Sequence, residues 1–274
     1  MYTAYQPRHQ PTAFSTSINA LRAFFLAKGF IEVHTQDRLS ILAACEDPTT
    51  VATYEYKGNT WPLPQTGQMW LEYELLTQPN VPGVFCVSTS YRNEPNPIPG
   101  RHDLIFPMFE FEAPGTIDDL RNLEIELCEY LGLGSAKDFT HHSYLELAKK
   151  YDTTELTNEH EKMMLKDFGR VVFLEYFPEE TSPFWNMNRT AKGAAKIDVI
   201  IDGIETIGSA ERSTDPEDMR KRFHSISNGE YAELLFRTFG KERVEAELEQ
   251  FLVLPFFPRF GAGIGMTRMM KALS

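Results

Sequence analysis

Residues 84–112 read VFCVSTSYRNEPNPIPGRHDLIFPMFEFE. Two runs rich in β-branched and aromatic residues, 84–92 and 105–112, flank a connection that holds three prolines. That is the pattern of two antiparallel strands and the loop between them. Such a pair is not stable alone, so its faces demand further strands or helices. The loop and its borders also gather Arg92, Glu94, Arg101 and His102. Prolines limit where the loop can wander, which suits a set of charges that must meet one ligand.

The remaining chain supplies those partners. Residues 14–28 predict an amphipathic helix with Ile18, Leu21, Phe25 and Leu26 on its apolar face, and Gly29 predicts its stop. A short strand (FIEVHT) follows. A helix is expected over 118–131, a strand over 170–177, and a strand pair over 196–208 turned at Asp202-Gly203. Asp215-Pro216 reads as a helix start, and a further helix is expected after Gly240. The end, FGAGIGMTRMMKAL, reads as a glycine-rich strand feeding a helix. Strand pairs with helices between them predict an α+β fold, a mainly antiparallel sheet flanked by helices.

Composition narrows the function classes. The chain has 274 residues, 42% hydrophobic and 24% charged, enough for the core of one large domain. It contains no apolar run long enough for a transmembrane helix, and its N-terminus lacks the apolar segment of a secretory signal. Cys45, Cys86 and Cys128 follow no metal or disulfide spacing. These features suggest a cytoplasmic protein with no membrane partner. The net charge of −12 argues against a general nucleic-acid coat.

Several motifs carry chemistry. Gly261, Gly263 and Gly265 alternate, so one strand face is bare and admits a flat ligand or a close backbone. Alone, this is a packed strand–helix junction. It does not read as a dinucleotide fingerprint, because no βαβ unit follows. Asp198 and Glu205 lie seven residues apart across the Asp202-Gly203 turn. Carboxylates on paired strands can converge on one cation, although an ordinary solvated strand face fits the spacing too. His141, His142, His160 and His224 show no ligand spacing and read as surface residues.

Taken together and in order, YRNE, GRH, IFPMFEFE and GAGIGMTR resemble the second and third motifs of class II aminoacyl-tRNA synthetases. GFIEVHT, GQMWLE, VFLEYFPEETSPFWNMN and IDVIIDGIETIGSAER resemble the asparaginyl, aspartyl and lysyl group, the asparaginyl branch best. The resemblance runs from about Ser17 to the C-terminus. It also extends to stand-alone paralogues such as ammonia-dependent asparagine synthetases. It implies a class II synthetase-like antiparallel sheet flanked by helices, a homodimer, and ATP with Mg2+. Arg92 and Arg268 would be catalytic, gripping the phosphates from two sides. Glu94, Arg101, His102, Phe106, Glu205, Gly263 and Gly265 would complete the ATP site, Phe106 by stacking on adenine. Asp198 and Glu205 would hold the metal. Glu46 and Gln68 would hold the amino acid's α-amino group, and Glu72 and Arg212 its side chain. An arginine at 212 disfavours a cationic substrate, leaving aspartate or asparagine.

The chain also departs from the family. Gln36 stands where a proline is usual in the first motif, so a weaker dimer is expected. With only about a dozen residues before the first helix, no anticodon-binding barrel is expected ahead of the core, and 1–274 reads as a single catalytic domain. The expectation is therefore an AMP-forming ligase similar to asparagine synthetase. The alternatives are a stand-alone enzyme charging tRNA, which is open but not the expected partner, and a silent amino-acid-binding paralogue.

Overall fold

In the computed structural model, which describes residues 10–35, 39–43, 46–97, 103–181 and 184–274, the strands are Ile31–Glu32 (β1), Thr53–Tyr56 (β2), Asn59–Pro62 (β3), Val84–Tyr91 (β4), Ile105–Pro114 (β5), Thr140–Ser143 (β6), Val171–Phe177 (β7), Arg189–Thr190 (β8), Gly193–Ile201 (β9), Ile204–Glu211 (β10) and Arg259–Gly265 (β11). The helices are Pro11–Ala27 (α1), Gln68–Thr77 (α2), Ile117–Tyr130 (α3), Tyr144–Lys150 (α4), Asn158–Phe168 (α5), Pro216–Ser225 (α6), Glu230–Phe239 (α7), Lys241–Leu252 (α8) and Met266–Ala272 (α9). Helices and strands alternate irregularly along the chain, giving an α+β fold.

The main sheet runs β1-β4-β5-β11-β10-β9-β7-β6, with β8 attached to β9 and β2–β3 forming a separate hairpin. Its inner pairings are antiparallel. The two outer ones, β1–β4 and β6–β7, are parallel. Both parallel strands are reached by long crossovers, through α2 and through α4–α5, which is the connection that parallel pairing needs. Asp202 and Gly203 both have positive φ, 51° and 76°. This is the geometry a two-residue hairpin turn requires between right-twisted strands. Asp215 accepts from the Glu217 and Asp218 amides and caps α6 as its sequence suggests.

Period-two alternation separates the two faces of the sheet. On one face Phe85, Phe109, Phe111, Ile197, Val199, Ile207, Ala262 and Ile264 pack with residues of α1, α3 and α9. The ring of Phe25 lies 4.7–6.0 Å from those of Phe30, Phe85, Phe109 and Phe111. It therefore ties α1 to the strand pair that carries the proline loop. Leu26 is 55% exposed, and Phe24 is buried in its place. At about 100° per residue Leu26 points roughly 140° away from Leu21, off the buried arc. On the other face α6–α8, Trp185 and the α2 residues Met69 and Leu76 form a second core. Between this core and the sheet the odd residues of β11 and the even residues of β5 remain available for a site.

Of the histidines, His160 completes the capping box of α5 with Thr157. His141 bonds Glu175, and His142 packs on Phe168. Cys86 and Cys128 are buried. No described helix is long and apolar enough to cross a membrane. Gln36, Arg101, His102 and Cys45 lie outside the described residues.

Phe25→Ala removes a buried aromatic side chain at the junction of α1, β4 and β5. It is expected to lower the unfolding free energy by about 3–5 kcal/mol, read from urea denaturation. A variant as stable as the parent would show that α1 is not anchored there.

Candidate functional site

A cavity of about 450 Å3 opens over the face of the sheet opposite Phe109 and Phe111. Its floor is made by neighbouring strands. Phe106 and Met108 come from β5, Gly263 and Gly265 from β11, and Gly208 from β10. Gly208 and Gly263 are register partners, so two adjacent strands present bare backbone at one level. A Cβ on Gly263 would come within 2.8 Å of the Met108 methyl and 3.3 Å of Gln68 Nε2. Arg92, just past β4, enters from one side. Its guanidinium lies 5.9 Å from the Phe106 ring centre and 3.8 Å from Glu94. Arg268, on α9, enters from the other and donates to the Glu205 carbonyl at 2.5 Å, with the Glu205 carboxylate 3.7 Å away. Both arginines, Glu94, Phe106, Glu205 and Asp103 line the cavity.

Its inner wall rests on a buried charge network. Arg212 lines the cavity and donates to Gln68 Oε1 (2.8 Å) and to Glu112 Oε1 (3.0 and 2.5 Å). Behind it Arg259 donates to Glu72 Oε2 (3.1 and 2.5 Å) and to the Ser213 carbonyl (3.0 Å). Asn186 donates to Glu72 Oε1 at 2.7 Å. Arg212, Glu72, Glu112 and Arg259 are all essentially inaccessible. Burial pushes the Glu112 carboxyl up to about 7, against the pull of Arg212.

Glu110 orders the entrance to this wall. Its carboxylate accepts from the Gly67 amide at 2.8 Å and from the hydroxyls of Thr66 and Ser88. It thereby pins the N-terminus of α2, which carries Gln68 and Glu72, to β4 and β5. Gly67 is required at this contact. A Cβ there would lie 2.9 Å from Thr35 and 3.2 Å from Cys86 Sγ.

Asp198 and Glu205 converge over Gly208. A Cβ on Gly208 would lie 3.1 Å from Glu205 Oε1 and 3.6 Å from Asp198 Oδ1. Asp198 Oδ1 is buried with no hydrogen-bond partner. Burial, with Glu205 adding to it, raises the Asp198 carboxyl to about 7 against the pull of Lys196. Two carboxylates, one with an orphaned oxygen, suit a magnesium ion that takes its other ligands from phosphate and water. Among the described residues no group of three or more metal-ligating side chains occurs.

The fold thus brings Arg92, Glu94, Phe106, Glu205, Gly263, Gly265, Arg268, Gln68 and Arg212 to one cavity. Two expected substrate contacts sit elsewhere. Glu72 lies behind Arg212, outside the lining, and orients the wall. Glu46 bonds the Ala43 and Gln65 amides at 2.6 and 3.1 Å and borders a small neighbouring pocket. Glu110, Glu112, Arg259, Asn186 and Lys196 were not singled out from the sequence. The period-two alternation of IFPMFEFE does place Glu110 and Glu112 on the same strand face as Phe106, so their side of the sheet is legible from spacing alone.

The chain matches the family "tRNA synthetases class II (D, K and N)" over residues 8–274. It belongs to that family. Asparaginyl-tRNA synthetase from Pyrococcus horikoshii, complexed with asparaginyl-adenylate, superposes with a TM-score of 0.79 at 20% identity, covering 96% of this chain and 64% of that one. Asparaginyl-tRNA synthetase from Entamoeba histolytica, in complex with asparaginyl-adenylate, gives 0.75 at 17%, covering 96% and 63%. Aspartyl tRNA synthetase from Entamoeba histolytica gives 0.72 at 18%, covering 96% and 54%. This chain spans less than two thirds of each of those proteins. No curated protein sequence matches it significantly. At such identities the likeness establishes the fold.

The buried wall makes a stability prediction. Arg259→Met strips Glu72 of its strongest partner and is expected to cost about 3–5 kcal/mol in urea unfolding. The double variant with Glu72→Met, which removes both charges, should recover at least half of that loss. A silent single variant would mean that the pair does not hold the wall.

Proposed function

We propose that this protein is an AMP-forming ligase that adenylates aspartate or asparagine. The observation that carries this reading is the convergence of Arg92, Arg268, Phe106 and a glycine floor on a cavity whose inner wall is Arg212. Joining a carboxylate to a triphosphate brings two anions together, and the reaction proceeds only where cations face the developing charge. A carboxylate oxygen of the amino acid attacks the α-phosphorus, the bond to the bridging oxygen of the β-phosphate breaks, and pyrophosphate leaves. Arg92 and Arg268 stabilise the phosphoryl oxygens, and Phe106 offers its face to adenine. Asp198 and Glu205 would hold a magnesium ion, which when bound screens phosphate charge.

Arg212 receives the group of the amino acid that is not activated. Its planar fork suits a carboxylate or an amide carbonyl. Asparagine synthesis requires the side-chain carboxylate to be adenylated, with the α-carboxylate held at Arg212. Ammonia then attacks the activated carbonyl, AMP leaves, and a proton is released. Transfer to tRNA uses the reverse orientation. We favour ammonia as acceptor, because a net charge of −12 offers no broad attraction to RNA. We also place the protein as a homodimer through the β1 edge, where Leu26 and Ile31 are exposed apolar residues.

With Mg2+, aspartate or asparagine should support ATP–pyrophosphate exchange, and Arg92→Ala and Arg268→Ala should each lower it by about 10²-fold or more. Supplied with aspartate and ammonia, the enzyme should form asparagine and AMP. Absence of exchange with every common amino acid sinks the enzyme reading and favours a silent binding protein. Efficient charging of total tRNA instead of amide formation replaces the acceptor. Light scattering at micromolar concentration should report a dimer, and a monomer there would remove the proposed interface.

A further inference from the structure

Lys196 lines the same cavity but has no part in the scheme above. Its ammonium lies 2.9 Å from Asp198 Oδ2 and 4.0 Å from the centre of the Phe177 ring, and its side chain is only 15% exposed. Register explains the placement. On β9, Lys196 stands opposite Ala210 and Asp198 opposite Gly208, so both project to the cavity face while Ala195, Ile197 and Val199 enter the core. The ring of Phe177 and the carboxylate of Asp198 bracket the ammonium. One oxygen of Asp198 is thus held by a fixed cation, and the other is left without a partner over Gly208. Glu205, the second carboxylate of the pair, has its own cation in Arg268.

Two carboxylates facing a triphosphate, Asp198 buried and Glu205 partly exposed, would repel it unless counter-charge is present, the buried one most strongly because water screens it least. Divalent ions supply that counter-charge from solution. Here the chain itself places a single positive charge against each carboxylate. We propose that Lys196 is a built-in cation of the nucleotide site, which neutralises Asp198 so that ATP binds with a reduced requirement for divalent metal. The inference rests on the reading that ATP occupies this cavity. It assigns Lys196 as a positioning residue, acting on ATP through the charge of Asp198. A lysine suits the role because its ammonium is a compact point charge, whereas methionine fills similar space without charge.

The test is ATP binding by titration calorimetry, without amino acid, once with saturating magnesium and once in EDTA. For the parent protein, removal of magnesium should weaken ATP binding by less than about tenfold. For Lys196→Met, affinity in magnesium should stay within about threefold of the parent, while affinity in EDTA should fall by a further tenfold or more. Lys196→Arg, which keeps the charge, should follow the parent in EDTA. Thermal melts establish that each variant is folded, and Lys196→Gln carries the comparison if the methionine variant melts early. Equal magnesium-to-EDTA ratios for the parent and the uncharged variants overturn the proposal. So does a parent protein that binds ATP in magnesium and not at all in EDTA. A parent protein that fails to bind ATP even with magnesium overturns the nucleotide reading itself, an outcome distinct from either.

Discussion

Two guanidinium–carboxylate pairs with almost no access to water, Arg212 with Glu112 and Arg259 with Glu72, hold the inner wall of the cavity. Burying four charges is expensive, and breaking either pair leaves an uncompensated ion in a dry interior. The four residues come from α2, β5, β11 and the end of β10, so their pairing requires these elements to be in final register together. Asn186 and Gln68 satisfy remaining atoms on Glu72 and Arg212. The position of Arg212 is therefore fixed by Glu112, which does not line the cavity, and by Gln68, which does.

Close approach is the second requirement. Gly261 faces the Glu112–Arg212 pair, and a side chain there would collide with both. Gly263 and Gly208 then continue the bare surface toward the Asp198–Glu205 pair. The alternating glycines therefore serve two ends of one strand face. At one end they admit a buried salt bridge, and farther along they leave room for a flat ligand.

How much of this could be read from the sequence depended on range. The alternation of IFPMFEFE, the Asp202-Gly203 turn, the Asp215 cap and the glycine strand are local patterns, and each took the form its chemistry suggested. The hairpin of β2 and β3 was overlooked although its Lys57-Gly58 turn has the same positive φ pair as Asp202-Gly203. The partners of the charged residues were not legible. Glu112 and Arg212 are 100 residues apart, and Glu72 and Arg259 are 187 apart. No spacing rule links such positions, and a glutamate on a short helix reads as exposed unless its distant cation is known. Glu72 is expected from the sequence to face a substrate, whereas its carboxylate bonds Arg259 and Asn186 and does not line the cavity. Lys196 had no signal of its own, since a lysine opening a strand is ordinarily a solvated edge charge.

The geometry of the ion pairs separates scaffold from exchangeable contacts. At the wall, Arg212–Glu112 and Arg259–Glu72 close to 2.5 Å with side chains at most 2% exposed. At the mouth, Arg92–Glu94 and Arg268–Glu205 stand at 3.8 and 3.7 Å with side chains 21–38% exposed. Partly hydrated pairs of that length are weak, on the order of 1 kcal/mol or less. A polyanion can displace those carboxylates from the two arginines at little cost, whereas opening the buried pairs would strand charges in the interior. Lys196–Asp198, at 2.9 Å and 15% and 9% exposed, falls between the two classes. The cavity is therefore graded, with long, partly exposed arginine–carboxylate pairs at Arg92 and Arg268 and short, buried ones at its inner wall. A ligand that extends from mouth to wall meets both, and only the mouth has to reorganise around it.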